Sequence, residues 1–228
     1  MFIGHFAFGL GAKSMAPKVS LGSLLLAAQL LDLLWPTFLL LGWEHVSISP
    51  GITEVTPLDF THYPISHSLL AVLGWSIACG LIYWLLKRNR RGAIVMGICV
   101  LSHWMLDVVM HRPDLPLYPG DSPMLGLGLW NSLVGSLLVE GLFFALGVGL
   151  YLRSTKAKNK KGTWGFWSFI LFLVFVHVAN LFGPPPPEVT AIAWTGQLQW
   201  LFIIYGYWID GNRQNKNVQA PHLEAVYH

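Results

Sequence analysis

The sequence predicts an all-α fold, a polytopic transmembrane bundle of about six to seven helices, on three observations. Only 11% of the 228 residues are charged and 54% are hydrophobic, whereas a soluble domain carries roughly a quarter charged residues. Several apolar stretches reach the ~20 residues that ~30 Å of hydrocarbon demands of a helix. Lys and Arg gather at alternate joints between those stretches, which is the pattern that orients helices across a membrane. The 11 Trp fit the same picture, because Trp favours the boundary between hydrocarbon and headgroups.

The opening segment, residues 1–18, has its lysines (Lys13 and Lys18) after its apolar core rather than before it, the reverse of a secretory signal, and reads as retained structure. Ended by Pro17, it is short for a span, so it is either a short tilted helix or an interfacial one. The spans then fall at roughly 19–43, 65–86, 92–111, 126–152, 165–182 and 190–209. Within the first, Pro36 lacks an amide hydrogen and is expected to bend the helix next to Asp32.

The basic joints hold Lys13 and Lys18, then Lys87, Arg88, Arg90 and Arg91, then Arg153 to Lys161, then Arg213 and Lys216. The intervening joints hold Glu44, Glu54, Asp59, Asp114, Asp121 and the Pro184 to Pro187 run, with Arg112 as their strong base. The expected topology has basic joints cytoplasmic and acidic, proline-rich ones external, a multi-pass protein of a bacterial inner membrane. Residues 1–210 form one helical domain with its motifs in 1–120, and the polar tail 211–228 reads as disordered. Cys79 and Cys99 lie in apolar stretches and support neither a disulfide framework nor a redox motif. No phosphate-cradling loop is present, and no nucleic-acid partner is expected; Gly4, Gly9 and Gly11 read as close-packing positions.

Ionisable side chains at membrane depth cost several kcal/mol, so those that persist face the bundle interior and mark a site or a proton path. His103, Asp107 and His111 are spaced four apart and so form one helical stripe. Imidazole, carboxylate and imidazole on a rigid support suit Zn²⁺ or a similar divalent ion. Asp32, His67 and His5 are the further candidate ligands, with Ser66 as the expected cap of the helix that His67 opens. The topology drawn from Lys and Arg puts His67 and the His111 end of the stripe on the same face. Glu140, in the middle of a long apolar helix, demands a partner or a proton. His45, His177, His222 and His228 read as structural, and Gln197, Gln199, Asn131 and Asn180 as interhelical hydrogen-bonding groups.

Gly4-His5, Asp32, Ser66-His67-Ser68-Leu69-Leu70 and Ser102-His103 with Asp107 together resemble a bacterial family of inner-membrane proteins described as metal-dependent hydrolases and as LexA-binding. The His-x-x-x-Asp-x-x-x-His spacing is also similar to that of zinc-dependent phospholipases C. Two boxes depart from the family pattern. Leu31-Asp32-Leu33-Leu34 stands where Pro-Asp-x-Asp-His is common, and His62-Tyr63-Pro64-Ile65-Ser66-His67 where His-Arg-Gly-x-Thr-His is common, so one carboxylate is missing.

The resemblance implies a metal-dependent hydrolase, and the expected ion, Zn²⁺ by preference, is held by Asp32, His67, His103 and Asp107, with His5 or His111 completing the set. The substrate would be an ester or phosphoester, most simply a lipid, at the external face of the bilayer. Asp107 or Glu140 is the expected general base, the former only if it is not a ligand. A proton-coupled carrier built on the same residues is the rival expectation, and a non-catalytic scaffold the third. Substrate identity and oligomeric state are left open.

Overall fold

The computed structural model describes residues 1–216, and its elements follow the apolar stretches closely. The chain opens with α1 (Phe2–Met15), α2 (Leu21–Ala28) and α3 (Leu30–Leu40). A hairpin of β1 (His45–Ile48) and β2 (Leu58–His62) leads into the single turn α4 (Pro64–His67), then α5 (Leu69–Lys87) and α6 (Arg90–Met110). The two-residue strands β3 (Leu115–Pro116) and β4 (Met124–Leu125) and a 3₁₀ turn at Leu129–Asn131 precede α7 (Leu133–Ser154). β5 (Thr155–Ala157), α8 (Lys160–Phe182), α9 (Val189–Gln197), α10 (Gln199–Gly211) and β6 (Arg213–Asn215) complete it.

The long helices begin where the sequence supplies a cap. Ser68, Asn89, Ser132 and Asn159 each accept a hydrogen bond from the backbone N–H three residues on, opening α5, α6, α7 and α8. The cap of the second predicted span is therefore Ser68 rather than Ser66, whose hydroxyl is engaged elsewhere. Between α5 and α6 the chain reverses through Arg88, which takes the left-handed conformation (φ 51°) that ends a helix.

The expected bundle is present, with fewer full spans than the six to seven expected. Among the described residues four helices, α5 to α8, are long and apolar enough to cross a membrane, and the bent pair α2–α3, taken as one span, makes a fifth. The remaining predicted stretch, 190–209, is interrupted at Leu198, and at 1.5 Å per residue its halves reach only about 14 and 20 Å. Hydropathy alone cannot reveal that break, because both halves are apolar. The bend in the first span is also displaced: α2 and α3 meet at 56° across Gln29, while Pro36 lies inside α3. The carbonyl that Pro36 would have served, that of Asp32 four residues back, receives Gln199 Nε2 at 3.4 Å instead.

α1 is a core helix rather than an interfacial one. Ile3 to Ala7 and Gly9 to Lys13 are buried, and the helix packs against α2, α6, α7 and α8. A Cβ placed on Gly147 of α7 would meet the carbonyl oxygen of Ala7 at 2.3 Å, so glycine there is what lets the two backbones approach. On Gly9 it would lie 2.9 Å from a Leu25 methyl, which agrees with the packing role expected for that glycine. Two apolar cores result. One gathers around Leu24, Leu31, Val72, Cys99 and Trp104, the other around Phe6, Leu10, Phe166, Phe169 and Leu173.

The two ends of the bundle differ in charge. At the basic end Lys13 Nζ lies 2.7 Å from both Val19 O and Asp210 Oδ1. Arg213 packs over the Tyr151 and Phe166 rings, and β5 pairs antiparallel with β6. Within the predicted tail Arg213–Asn215 form a strand, while residues 217–228, with His222 and His228, lie outside the described residues. The β1–β2 hairpin and the β3–β4 loop form the other, loop end.

Candidate functional site

The site is assembled where α1, α3, α4 and α6 meet near the loop end. α6 contributes the spine, since His103 and Asp107 are one turn apart and His103 Nε2 lies 3.2 Å from Asp107 Oδ2. α1 brings His5, whose Nε2 is 3.1 Å from Asp107 Oδ1 and whose ring stacks on that of His103 at 3.5 Å and 5°. The kink at Gln29 sets Asp32 in the first turn of α3, with Oδ1 3.5 Å from His103 Nε2 and 3.7 Å from His67 Nε2. His67 in turn lies 3.8 Å from Asp107 Oδ2.

Two groups of three result, His5–His103–Asp107 and Asp32–His67–His103, each with potential ligand atoms within 4.8 Å of one another. His103 belongs to both. The backbone nitrogen of Met1 also stands 2.7 Å from Asp107 Oδ1.

Each histidine is held from behind. His103 Nδ1 donates to the carbonyl of Ala28 at 2.8 Å, in the last turn of α2, which turns Nε2 toward the two aspartates. That nitrogen is buried and makes no hydrogen bond, and neither does His5 Nδ1. A buried nitrogen without a hydrogen bond is uncommon and calls for an explanation, and at His103 Nε2 the neighbours are the carboxylates of Asp32 and Asp107 at ion-pair distance. His67 Nδ1 contacts Ser66 Oγ at 2.7 Å, and Ser66 Oγ donates to Glu44 Oε2 at 2.6 Å. Glu44 Oε1 accepts the backbone N–H groups of Ile65 and Ser66 at 2.8 and 2.7 Å. A carboxylate and a hydroxyl therefore fix the His67 ring, an arrangement typical of the residues behind metal-binding histidines.

His111 closes the stripe at the very end of α6 and is shared with a second carboxylate. α6 ends at Met110 and His111 is its C-cap in extended conformation (ψ 148°), because Arg112 precedes Pro113 and is disfavoured in a helix. Its Nε2 is 4.0 Å from Asp107 Oδ1, while Nδ1 is 2.9 Å from Asp114 Oδ1. Tyr63 donates its hydroxyl to the same Asp114 oxygen at 3.1 Å, and Arg112 joins Asp114 to Asp59. Burial and the Asp114 charge raise the Tyr63 pKa well above its ordinary 10.0, and burial lowers that of His111.

Glu140 is buried but stands apart from both groups, and its Oε2 accepts the N–H of Ile3 at 3.1 Å. It serves as the cap that the sequence around Met1 does not supply. Of the amides, Gln197 donates to Thr37 Oγ1 and Gln199 to Asp32 O, both between helices as expected. His177 stacks on Phe2 at 6.4 Å, and His45 faces His62 across the hairpin. Glu44, Tyr63 and Asp114 were not among the candidate residues. Only the serine directly before His67 hinted at a support for that ring.

A cavity of 1110 Å³ adjoins the cluster on the side of α8, α9 and α10, and both Asp32 and Glu140 line it. The Asp32 side chain is 25% exposed, whereas those of His5, His67, His103 and Asp107 are 5% exposed or less, so Asp32 is where the cluster opens.

No curated protein and no solved structure matches the chain. A family model described as YdjM inner membrane protein matches residues 1–182. That match reaches past the motif-bearing half through α7 and α8 and contains every residue of the polar cluster, and the chain belongs to the YdjM inner membrane protein family.

Proposed function

We propose that the protein is a membrane-embedded, metal-dependent hydrolase of a lipid ester or phosphoester. The observation that carries this reading is His103. Its Nδ1 is spent on a backbone carbonyl, its Nε2 is buried without a hydrogen bond, and two carboxylates flank that nitrogen at 3.2 and 3.5 Å.

The residues present fit a divalent ion. His5, His103 and Asp107 form one donor set, Asp32, His67 and His103 the other, and nitrogen with oxygen donors suits Zn²⁺. When bound, such an ion supplies a hydroxide nucleophile near neutral pH and polarises an ester or phosphoryl oxygen. Asp107, enclosed by His5 and His103, acts as a ligand in this reading, which leaves proton transfer to Glu140 on the cavity wall. Asp32 joins the cluster to the cavity and so orients the substrate. His111, held by Asp114, stands behind Asp107 as a supporting group rather than a sixth ligand. The basic end is cytoplasmic and the site faces the external side, as the distribution of Lys and Arg favours.

Metal content of the purified protein is the test. About one equivalent or more of zinc, lost in His103→Ala, is expected; no bound metal, or the same content in the variant, refutes the metal site.

A second reading rests on the unbroken chain of close contacts Asp32–His103–Asp107–His111–Asp114, at 3.5, 3.2, 4.0 and 2.9 Å, which also suits a proton relay. Solute uptake into proteoliposomes driven by a pH gradient, and abolished by Asp107→Asn, would favour it over hydrolysis.

A further inference from the structure

The cavity beside Asp32 constrains what the site accepts. Its lining runs along α8 from Ser168 to Leu181, about 20 Å at 1.5 Å per residue. That is enough to span one leaflet, half of the ~30 Å of bilayer hydrocarbon. Phe169, Phe172, Val176, Ile192, Leu201 and Phe202 make most of this wall apolar.

At the loop end, segments 50–51 and 53–58 and the Pro184 to Pro187 run border the cavity, and Asp32 and Glu140 face it. None of the described residues lining it is Lys or Arg. A water-soluble substrate would leave its polar groups unpaired against this wall. A free fatty acid or a phosphate monoester would bring negative charge to three carboxylates, Asp32, Glu54 and Glu140, with no Lys or Arg in the lining to offset it.

We propose that the cavity holds one acyl chain of a membrane glycerolipid drawn from the leaflet at the loop end. The head of that lipid carries no net negative charge, and its ester region lies beside Asp32 and Glu140. The assignment of this lipid as a substrate rests on the hydrolase reading, whereas binding of the chain depends on the wall alone. Phe169 supplies the means of separating the two. It lines the cavity but is only 2% exposed, so lipid that merely surrounds the bundle does not reach it; Leu171, two residues on, is 67% exposed to the surroundings.

The experiment uses the full chain in nanodiscs with a phosphatidylethanolamine bearing a diazirine within one acyl chain. After irradiation, labelled residues are mapped by peptide mass spectrometry. Both Phe169 and Leu171 are expected to be labelled. Ala191→Trp, which fills the cavity from α9, is expected to abolish the Phe169 label and spare that at Leu171. Should that variant lose monodisperse elution, Thr195→Phe one turn further along α9 provides the same block.

The Phe169 label is expected to survive both chelator and His103→Ala. Labelling of Leu171 without Phe169 in the wild type overturns the proposal, as does a Phe169 label that persists in a folded cavity-filled variant. A phosphatidylglycerol probe that labels Phe169 as strongly as the phosphatidylethanolamine one overturns the headgroup assignment. A Phe169 label that behaves as expected in a protein without bound zinc upholds the lipid site while the hydrolase reading falls.

Discussion

Ser66 stands between Glu44 and His67, its hydroxyl 2.6 Å from Glu44 Oε2 and 2.7 Å from His67 Nδ1. The ring nitrogen that points away from the cluster is therefore tied to a carboxylate on the far side of the β1–β2 hairpin.

Glu44→Gln and Ser66→Ala are each expected to weaken zinc binding by about 10- to 100-fold, because residues behind a ligand set its tautomer and orientation. Competition with a chromophoric chelator measures this. Wild-type affinity in both variants would remove Glu44 and Ser66 from the site.

Tyr63→Phe removes the hydroxyl that donates to Asp114 in a buried network, at an expected cost of about 1–3 kcal/mol, read as a lower melting temperature in detergent. Because the folded-state pKa of Tyr63 is raised above 10.0, its contribution is fully present below pH 10. It declines as pH rises above that value, where the unfolded chain releases its proton first. A pH-melting profile in which wild type and Tyr63→Phe differ equally at pH 7 and pH 11 would contradict this account.

Gly147→Val is expected to prevent α1 from seating on α7, since even its Cβ would lie 2.3 Å from the Ala7 carbonyl oxygen. Overpacking of this kind costs about 1–3 kcal/mol or more. Gly149→Ala, which meets nothing within 4 Å, is the control and should elute as wild type in size-exclusion chromatography. Equal yields of the two variants would sink the close-packing argument.

Gln199→Leu leaves the Asp32 carbonyl without its side-chain donor. The contact is long, so a loss of about 1 kcal/mol is expected. A larger effect on metal content than on melting temperature would show that Gln199 governs the placement of Asp32 as well as the stability of α3.

What could be read from the sequence is what depends on short range. The four-residue step from His103 to Asp107 gives their shared helix face directly, and the long apolar runs give α5 to α8. At His111 the same step still brings Nε2 to 4.0 Å from Asp107 Oδ1, although α6 ends at Met110 and Nδ1 turns to Asp114. Pro36 was a sound reason to expect a bend, yet the chain breaks at Gln29 and satisfies the proline's free carbonyl from α10. Pairings such as Glu44 with Ser66, Tyr63 with Asp114, and Glu140 with Ile3 cross 22, 51 and 137 residues. No local pattern encodes them, since they exist only once separate helices have packed. Apolar character likewise found the 190–209 stretch but not its interruption at Leu198, which matters because Gln197 and Gln199 on either side hold α3.

The burial of α1 bears on how the protein is made. α1 is synthesised before three of the helices that enclose it, α6, α7 and α8, which follow only from residue 90 onward. Until then His5 and Lys13 lack Asp107 and Asp210, the partners that accommodate them in the finished bundle. Biogenesis must therefore hold an incompletely satisfied first helix while more than half the chain is added, and the cluster closes only when that helix is enclosed.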